Sequence, residues 1–562
     1  MRVLKTIIYF LAVAYSGTVA EASQFVDSLS IEVRTSASVA TNGSLQPLWS
    51  YSNQWGLFTQ YKQAEVVAYA KAKYNICRFK YFSAETGLAL VGKSEIKKSM
   101  IHEAYVAGKA FVLDYSIGMQ AFSPLAKNDD VTSGSYLMSS NARPTPRIGV
   151  GFFDYWSIPY TRDWLQIKGA FYVGRLFNEY DADDEFAYNF TRDVVLHEKL
   201  AYGRLGGWYA KPFFGLVHSV MIGGKMPDGT EIPTDFWASF RGKGSEKFRD
   251  NPAFRGEATN AAGAHQGLWD MGIDFDIKNV SGSLYLQRMF RDNAGTKPFS
   301  QFNKDFIIGA RVETDVKWLK AINIEWFKTS YQSGEGTPDP TGYDKYGVQM
   351  YVYPGDVPTN PDAFNKWVND HFNQADITQW ESKLNAKFTP ENSTWFLRQM
   401  WHNGDWGGRK NYLDNGLYRQ GWSQGGLSMG TPLFHSKQTV AKYIDSGHWT
   451  PGHSFFPNSR VNAVTLGVKG FISEKINYLF KYSVSKNHGS LSEKFNGAFG
   501  LKEIDNYFFT TSKMEHYAML DLNYKLSDNM IINGRISADY GELYDSFALR
   551  MGIAYNINGN RR

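Results

Sequence analysis

The chain has 562 residues, 60 Lys and Arg against 55 Asp and Glu, 16% aromatic residues and one cysteine. So many aromatics exclude a disordered chain, because they can bury enough surface to offset chain entropy. A single cysteine excludes a disulfide scaffold, and a net charge of +5 is far from a nucleic-acid footprint.

In chain order, the first element is a targeting segment. Arg2 and Lys5 form a basic start, residues 6–15 are apolar, and Ala20-Glu21-Ala22 supplies a cleavage site of small residues. This predicts a secretory signal peptide over residues 1–22, with 23–562 as one domain. Residues 30–40 and 66–82 read as strands. Residues 228–263 form a connection rich in Gly, Pro and charge, within which 234–239 reads as a short strand or a piece folded into a lumen. Residues 361–373 predict a helix, with Pro361 at its start and Phe364, Trp367, Val368 and Phe372 at helical spacing. A hairpin spans 464–484 and turns at Ser473-Glu474-Lys475. In the next hairpin Leu520, Leu522, Tyr524 and Leu526 alternate with Met519, Asp521, Asn523 and Lys525. After Ser527-Asp528-Asn529, Ile532, Gly534, Ile536 and Ala538 alternate with Asn533, Arg535, Ser537 and Asp539. The last strand repeats the rule, with Phe547, Leu549, Met551, Ile553, Tyr555 and Ile557 on one face.

A soluble β-sandwich or propeller also alternates in this way. Three features favour a membrane. The strands run about 9–11 residues, the length that crosses a bilayer when tilted. Tyr524, Tyr540, Tyr544 and Tyr555 stand at strand ends, as in an interfacial girdle. Short turns alternate with long polar connections such as 334–376 and 403–437. No stretch after the leader is apolar enough for a spanning helix, and in lipid only helices and closed barrels satisfy every backbone group. The expected fold is therefore all-β: a transmembrane antiparallel β-barrel of about 16–20 strands with long external loops. A barrel this wide must conduct or be plugged, and a lumen plug is expected.

Motifs for chemistry are weak. Gly426-Leu427-Ser428-Met429-Gly430 matches a nucleophile elbow but lacks the preceding apolar strand and the following helix. His102-Glu103 and His197-Glu198 open like zinc-hydrolase motifs, with Val106 and Ala201 where the second His belongs. Asp181, Asp183, Asp184 and Glu185 lack calcium-loop spacing. These readings predict no enzyme, no metal and no cofactor. One segment carries more. Trp401, His402, Asn403, Asp405, Trp406, Arg409, Asn411 and Tyr412 interleave aromatics with planar polar groups. Sugars need that mixture, since their C–H faces stack on rings while amides and charges take hydroxyls or carboxylates. An interfacial girdle with ordinary loop packing enriches the same residues. His448, Trp449 and His453 form a smaller cluster.

Several stretches in order resemble the capsule assembly Wzi family. They are residues 411–422 (NYLDNGLYRQGW) with Gly426, Gly430 and Thr431-Pro432-Leu433-Phe434; residues 47–56 (PLWSYSNQWG); 163–169 (DWLQIKG); 196–199 (LHEK); 263–270 (GAHQGLWD); and 482–489 (YSVSKNHG). The resemblance implies a Gram-negative outer-membrane barrel that binds capsular polysaccharide at the cell surface as a lectin-like anchor and supports capsule assembly. It favours about 18 strands and a periplasmic helical bundle, although 66–82 reads as strand here. Outer-membrane lipid and the barrel-assembly machinery follow as partners, with no nucleic acid. The rival expectation is a porin or substrate-selective channel.

Overall fold

The computed structural model describes residues 29–558 apart from 44, 124–129, 179–189, 292–297, 300–303, 333–340, 353–355, 403–410, 446, 453 and 495–503. The leader expected over 1–22 and the acidic residues 181–185 lie outside the described residues.

Eighteen strands form one antiparallel sheet. They are β1 (Leu29–Ala40), β2 (Ala64–Arg78), β3 (Phe82–Lys93), β4 (Met100–Ala110), β5 (Leu113–Met119), β6 (Arg147–Ser157), β7 (Leu165–Arg175), β8 (Val195–Leu205) and β9 (Ala210–Ile222), followed by β10 (Ala264–Ile277), β11 (Val280–Phe290), β12 (Phe306–Thr314), β13 (Ala321–Lys328), β14 (Val461–Phe471), β15 (Ile476–Asn487), β16 (Lys513–Lys525), β17 (Met530–Gly541) and β18 (Ser546–Asn558). Each strand pairs with its sequence neighbours. The ring closes where β1 pairs with β18, from Ser30 opposite Asn558 to Ala40 opposite Ala548. Closure leaves no open edge, the condition lipid imposes on a sheet. No described helix is long and apolar enough to cross a membrane.

The alternation sorts the two faces. Leu520, Ile536, Leu549 and Ile553 point outward and are exposed, while Asp521, Ser537 and Arg550 point inward and are buried. An exposed apolar belt around a closed sheet is the surface that hydrocarbon covers. Inside, large rings lie flat over glycines of the next strand. Tyr202 covers Gly215 and Tyr285 covers Gly309, and a Cβ at either glycine would fall inside the ring. Tyr524, Tyr540 and Tyr555 face outward near strand ends, in the girdle position. Tyr544 does not join them. It is buried at the loop end, stacks on Tyr443 at 5.9 Å and donates to Asp539 at 2.8 Å, because a hydroxyl partner and a second ring wait inside.

The two ends differ. One carries short turns at 79–81, 111–112, 158–164, 206–209, 278–279, 315–320, 472–475 and 526–529; the other carries the long connections, including 120–146, 223–263 and 329–460. Two corrections fall on these connections. The piece expected as strand or lumen segment at 234–239 is a short helix, α1 (Phe236–Arg241), capped by Asp235, whose carboxylate accepts from Ala238 N–H at 3.0 Å. Phe236 and Phe240, one turn apart, pack on Phe171 and His197. Those two residues occupy the outward face of β7 and β8, so α1 lies against the outside of the wall. The described helices sit at the loop end, whereas the resemblance implies a helical bundle on the periplasmic side. α2 (Pro361–His371), α3 (Gln374–Leu384) and α4 (Ser393–His402) come from 329–460 and share a core of Phe364, Val368, Phe388 and Phe396. The helix expected at 361–373 is α2, with Asn360 accepting from Asp362 and Ala363 N–H groups.

Candidate functional site

At the loop end the connections fold back into the barrel. Lys481 of the wall donates to Thr132 O at 2.8 Å, and the carboxylate of Glu325 accepts from Ser133 N–H at 2.7 Å. Tyr136 donates to Gln266 at 3.0 Å, and Arg550 donates to Ser50 O at 3.0 Å. Residues 131–142, 411–434 and 454–456 thus meet inward-facing wall residues, and Tyr136, Tyr412, Trp422 and Phe456 pack with Tyr172, Leu268 and Tyr285 in one buried core. At the loop end, the described residues of these connections and the inward face of the wall thus share one packed core inside the barrel.

The segment 411–434 is tied in by polar atoms. Asn411 adopts a positive φ of 39°. Its amide nitrogen reaches Asp414 at 2.5 Å, Ser454 at 2.7 Å and Ser492 at 3.0 Å, while its oxygen accepts from Ser459 at 2.8 Å. Asp414 in turn accepts from Phe455 N–H at 2.9 Å and Phe456 N–H at 3.3 Å. Burial pushes its carboxyl up to about 7, against the pull of those N–H groups. Tyr412 donates to Asp305 at 2.8 Å, which also accepts from Tyr331 and Gln332 N–H groups. Burial raises Asp305 as well. Trp422 donates to Leu137 O at 2.9 Å, and Ser139 donates to Gly430 O at 2.7 Å.

The residues expected to meet sugar divide between regions. Trp401 lies in α4, half-buried against Phe372 at 6.0 Å, in the helical core. The backbone of His402 ends that helix. Asn403, Asp405, Trp406 and Arg409 lie outside the described residues. Asn411 and Tyr412 are buried in the filling, with their side chains committed to the contacts above. Of the smaller cluster, Trp449 is buried against Tyr507 at 5.0 Å and His448 packs on Phe508; His453 is not described. The locking residues Asp305 and Asp414 were missed in the sequence. The three-residue step from Asn411 to Asp414 is a turn signal for one of them, whereas nothing local marks Asp305.

The other motifs are also placed. Ser428 sits in a two-residue-per-strand hairpin with Ser423, buried, and its hydroxyl accepts from Gly430 N–H at 3.2 Å. On strand β8 His197 and Glu198 face opposite sides: Glu198 meets Arg147 and Ser219 inside, and His197 meets α1 outside. Among the described residues, no group of three or more His, Cys, Asp or Glu could hold a metal ion.

Fold and filling define a transmembrane β-barrel of 18 strands whose loop end is occupied by its own connections. Among solved structures the chain is similar to Wzi of Escherichia coli, described as an outer-membrane protein of group 1 capsule assembly and a carbohydrate-binding β-barrel, at 11% identity and a TM-score of 0.46, covering 95% of this chain and 86% of that one. It is similar to OccD3 of Pseudomonas aeruginosa, at 9% identity and a TM-score of 0.41, over 94% and 90% of the two chains. OprD of the same organism gives 8% identity and a TM-score of 0.38, over 94% of each chain. The sequence matches no protein-family model and no curated protein.

Proposed function

We propose that this chain is an outer-membrane protein that binds capsular or related surface polysaccharide at its long-loop end and supports capsule assembly or attachment there, without catalysis. The observation that supports this reading most is the filled loop end. Parts of the connections 41–63, 120–146 and 329–460 spend their apolar and polar side chains on closing the lumen, so the barrel presents a surface rather than a passage. In this proposal the leader delivers the chain across the inner membrane, the barrel-assembly machinery inserts it, and lipid covers the outward belt. Asn411 and Tyr412, next in the sequence, are held in the filling. Contact falls to Trp401, His402, Asn403, Asp405, Trp406 and Arg409, where rings stack on sugar C–H faces and the polar groups take hydroxyls or carboxylates. The test is capsular polysaccharide binding by purified Trp406→Ala/Arg409→Ala protein. Loss of about tenfold or more in affinity is expected, with normal heat-modifiable gel mobility as the folding control; unchanged binding rejects these residues.

One observation favours a channel instead. At the short-turn end a cavity of about 840 Å³ opens among Lys73, Arg78, Glu85, Lys109 and Asp114, a charged vestibule that a substrate-selective pore would use. Steady open conductance in planar bilayers would replace the glycan reading with this one, and a silent barrel would leave it without support.

A further inference from the structure

We propose that the connection 223–263, carried on the outside of the wall by α1, is a docking face for the outer leaflet, where Trp237, Arg241 and Lys243 hold the phosphate of a phosphorylated glycolipid. This rests on the outer-membrane placement above and is independent of glycan binding.

The reason begins in the wall. Near the loop end of β1, β4, β6 and β18 the outward side chains are apolar and exposed, as at Val39, Ile101, Ile148 and Phe547. On β8, β9 and β10 the outward positions at this height are His197, Lys199, His218 and His265, and the three histidines are buried. Facing bare hydrocarbon, such polar groups would be costly. The connection 223–263 shields them. The rings of Phe236 and Phe240 cover His197. Lys199 donates to Phe240 O, with its ammonium 3.7 Å from the centre of the Phe240 ring. His265 donates to Ala262 O at 3.0 Å and accepts from His218 at 2.9 Å. Further down the same strands Phe214 and Trp269, 5.3 Å apart, resume the apolar belt. α1 therefore takes the place that lipid takes on the other strands, and its outer side continues the lipid-facing surface.

That outer side has a defined chemistry. Phe236 and Phe240 turn to the wall, and Ala238 and Ser239 are buried, so Trp237 and Arg241, four residues apart, set the exposed face. Trp237 is 65% exposed, with the rings of Phe236 and Phe240 beside it at 5.4 Å and 5.9 Å. A tryptophan at the loop-end border of the belt is an interfacial anchor. Arg241 is exposed, and only its Nε is used, donating to Trp237 O at 3.0 Å. Gly242, at a φ of 65°, stops the helix. Lys243 is exposed, and its carbonyl accepts from Ala262 N–H at 3.0 Å. Ala262 lies just before β10 begins at the loop end, so Lys243 stands at the rim, where headgroup charge lies. Neither cation has an ion-pair partner among the described residues. Of the acids in 231–250, Glu231 pairs with Lys225, Glu246 pairs with Arg249, and Asp235 caps α1 and accepts from Ser245, which leaves only Asp250. An anchoring ring with a guanidinium fork and an ammonium beside it suits a phosphate monoester better than a zwitterionic headgroup, whose own cation would compete.

The test is native mass spectrometry of the detergent-purified full chain with bisphosphorylated lipid A and with the same lipid dephosphorylated. The proteins are the native chain, Arg241→Gln/Lys243→Gln, Trp237→Ser, and Lys317→Gln/Lys475→Gln, which removes two exposed cations at the short-turn end. Gel mobility with and without boiling reports folding. The expected result is lipid A affinity about tenfold or more lower in Arg241→Gln/Lys243→Gln, lower also in Trp237→Ser, and unchanged in the short-turn variant. The native chain should prefer the phosphorylated lipid. Equal affinity in the native and Arg241→Gln/Lys243→Gln proteins overturns the site. An equal loss in the short-turn variant overturns it too, because net charge alone would then act. Equal binding of the dephosphorylated lipid overturns the phosphate assignment. A native dimer that Trp237→Ser converts to a monomer assigns the face to a second copy of the chain and overturns the proposal. Recovery of the native chain outside the outer-membrane fraction of cells removes the placement on which the proposal rests, and the proposal with it.

Discussion

Arg535 and Ile536 are neighbours in β17 and face opposite surroundings, whereas Asn411 and Tyr412 are neighbours in the filling and both are buried. In the wall, period two decides the matter. Every second side chain meets lipid, and the backbone is satisfied by the ladder whatever the side chain is. The inward side chains are then free to be charged, provided they pair. Arg535 meets Asp521 directly across the β16–β17 ladder and also donates to Trp49 O at 3.1 Å. In the filling segment 411–434 the ladder shrinks to the two-residue hairpin of Ser423–Gln424 with Leu427–Ser428. The backbone groups of 411–434 and 454–456 find other partners one by one: Asp414 for Phe455 and Phe456 N–H, Glu493 for Ser454 N–H and Ser139 for Gly430 O. The wall is held by a repeated rule, and the filling by specific atoms.

The comparison breaks most visibly on the inward face. Arg535→Ala leaves the Asp521 carboxylate buried without its cation, and the expected loss is about 3–5 kcal/mol, read as a lower urea midpoint of the detergent-folded barrel. The double variant Arg535→Leu/Asp521→Leu should recover most of that loss, since it removes both charges. A single variant that unfolds no earlier than the native chain would show that lumen water screens the pair. On the outward face Ile536→Arg is expected to cost about 2–4 kcal/mol in lipid vesicles, while Ser537→Ala, one residue on and facing inward, should change little. Equal effects of the two would contradict the assignment of faces.

The wall was legible because its rule is local. The hairpins at 464–484 and 519–540 and the final strand follow from alternation and turn residues alone, and the observed bounds differ by a few residues. Closure and a lumen that must be filled follow from strand number and lipid, without reference to any one residue. Where the outcome depended on distant partners, the reading failed or stopped. Tyr544 carries the girdle signature of an aromatic at a strand end, yet Tyr443, about a hundred residues earlier in the chain, draws it inside. Residues 234–239 lack the length to show a period, and their helix forms because Asp235 caps it and Phe171 and His197 offer a surface. The aromatic-polar mixture of 401–412 looks like one stretch, but Trp401 belongs to the helical core and Tyr412 to the filling.

Smaller effects should separate filling from wall. Asn411→Ala removes the side chain that links Asp414, Ser454, Ser459 and Ser492, and the expected cost is about 1–3 kcal/mol. That cost should appear as faster hydrogen exchange in 411–434 and 454–459, while exchange in β14–β18 stays as in the native chain. Slowing or no change in the first region would mean that apolar packing of Tyr412, Trp422 and Phe456 holds the segment by itself.

The finest probe is pH, because it acts on one carboxyl. Asp414 titrates at about 7 in the folded chain, above the ordinary carboxyl value of about 3.9. The folded filling therefore holds a proton that the opened filling releases between those values. Its contribution to stability is fully present below about pH 4 and is lost as pH rises through about 7. Opening of 411–434 should accordingly become easier from pH 5 to pH 8 by more than the intrinsic change in amide exchange accounts for. Asp414→Asn keeps the shape and an acceptor oxygen for Phe455 N–H but cannot titrate, so the slope it removes belongs to Asp414. Burial raises the Asp305 carboxyl in the same direction. A native chain whose filling grows more protected toward pH 8 would mean that the N–H groups of Phe455 and Phe456 outweigh burial and hold Asp414 ionised.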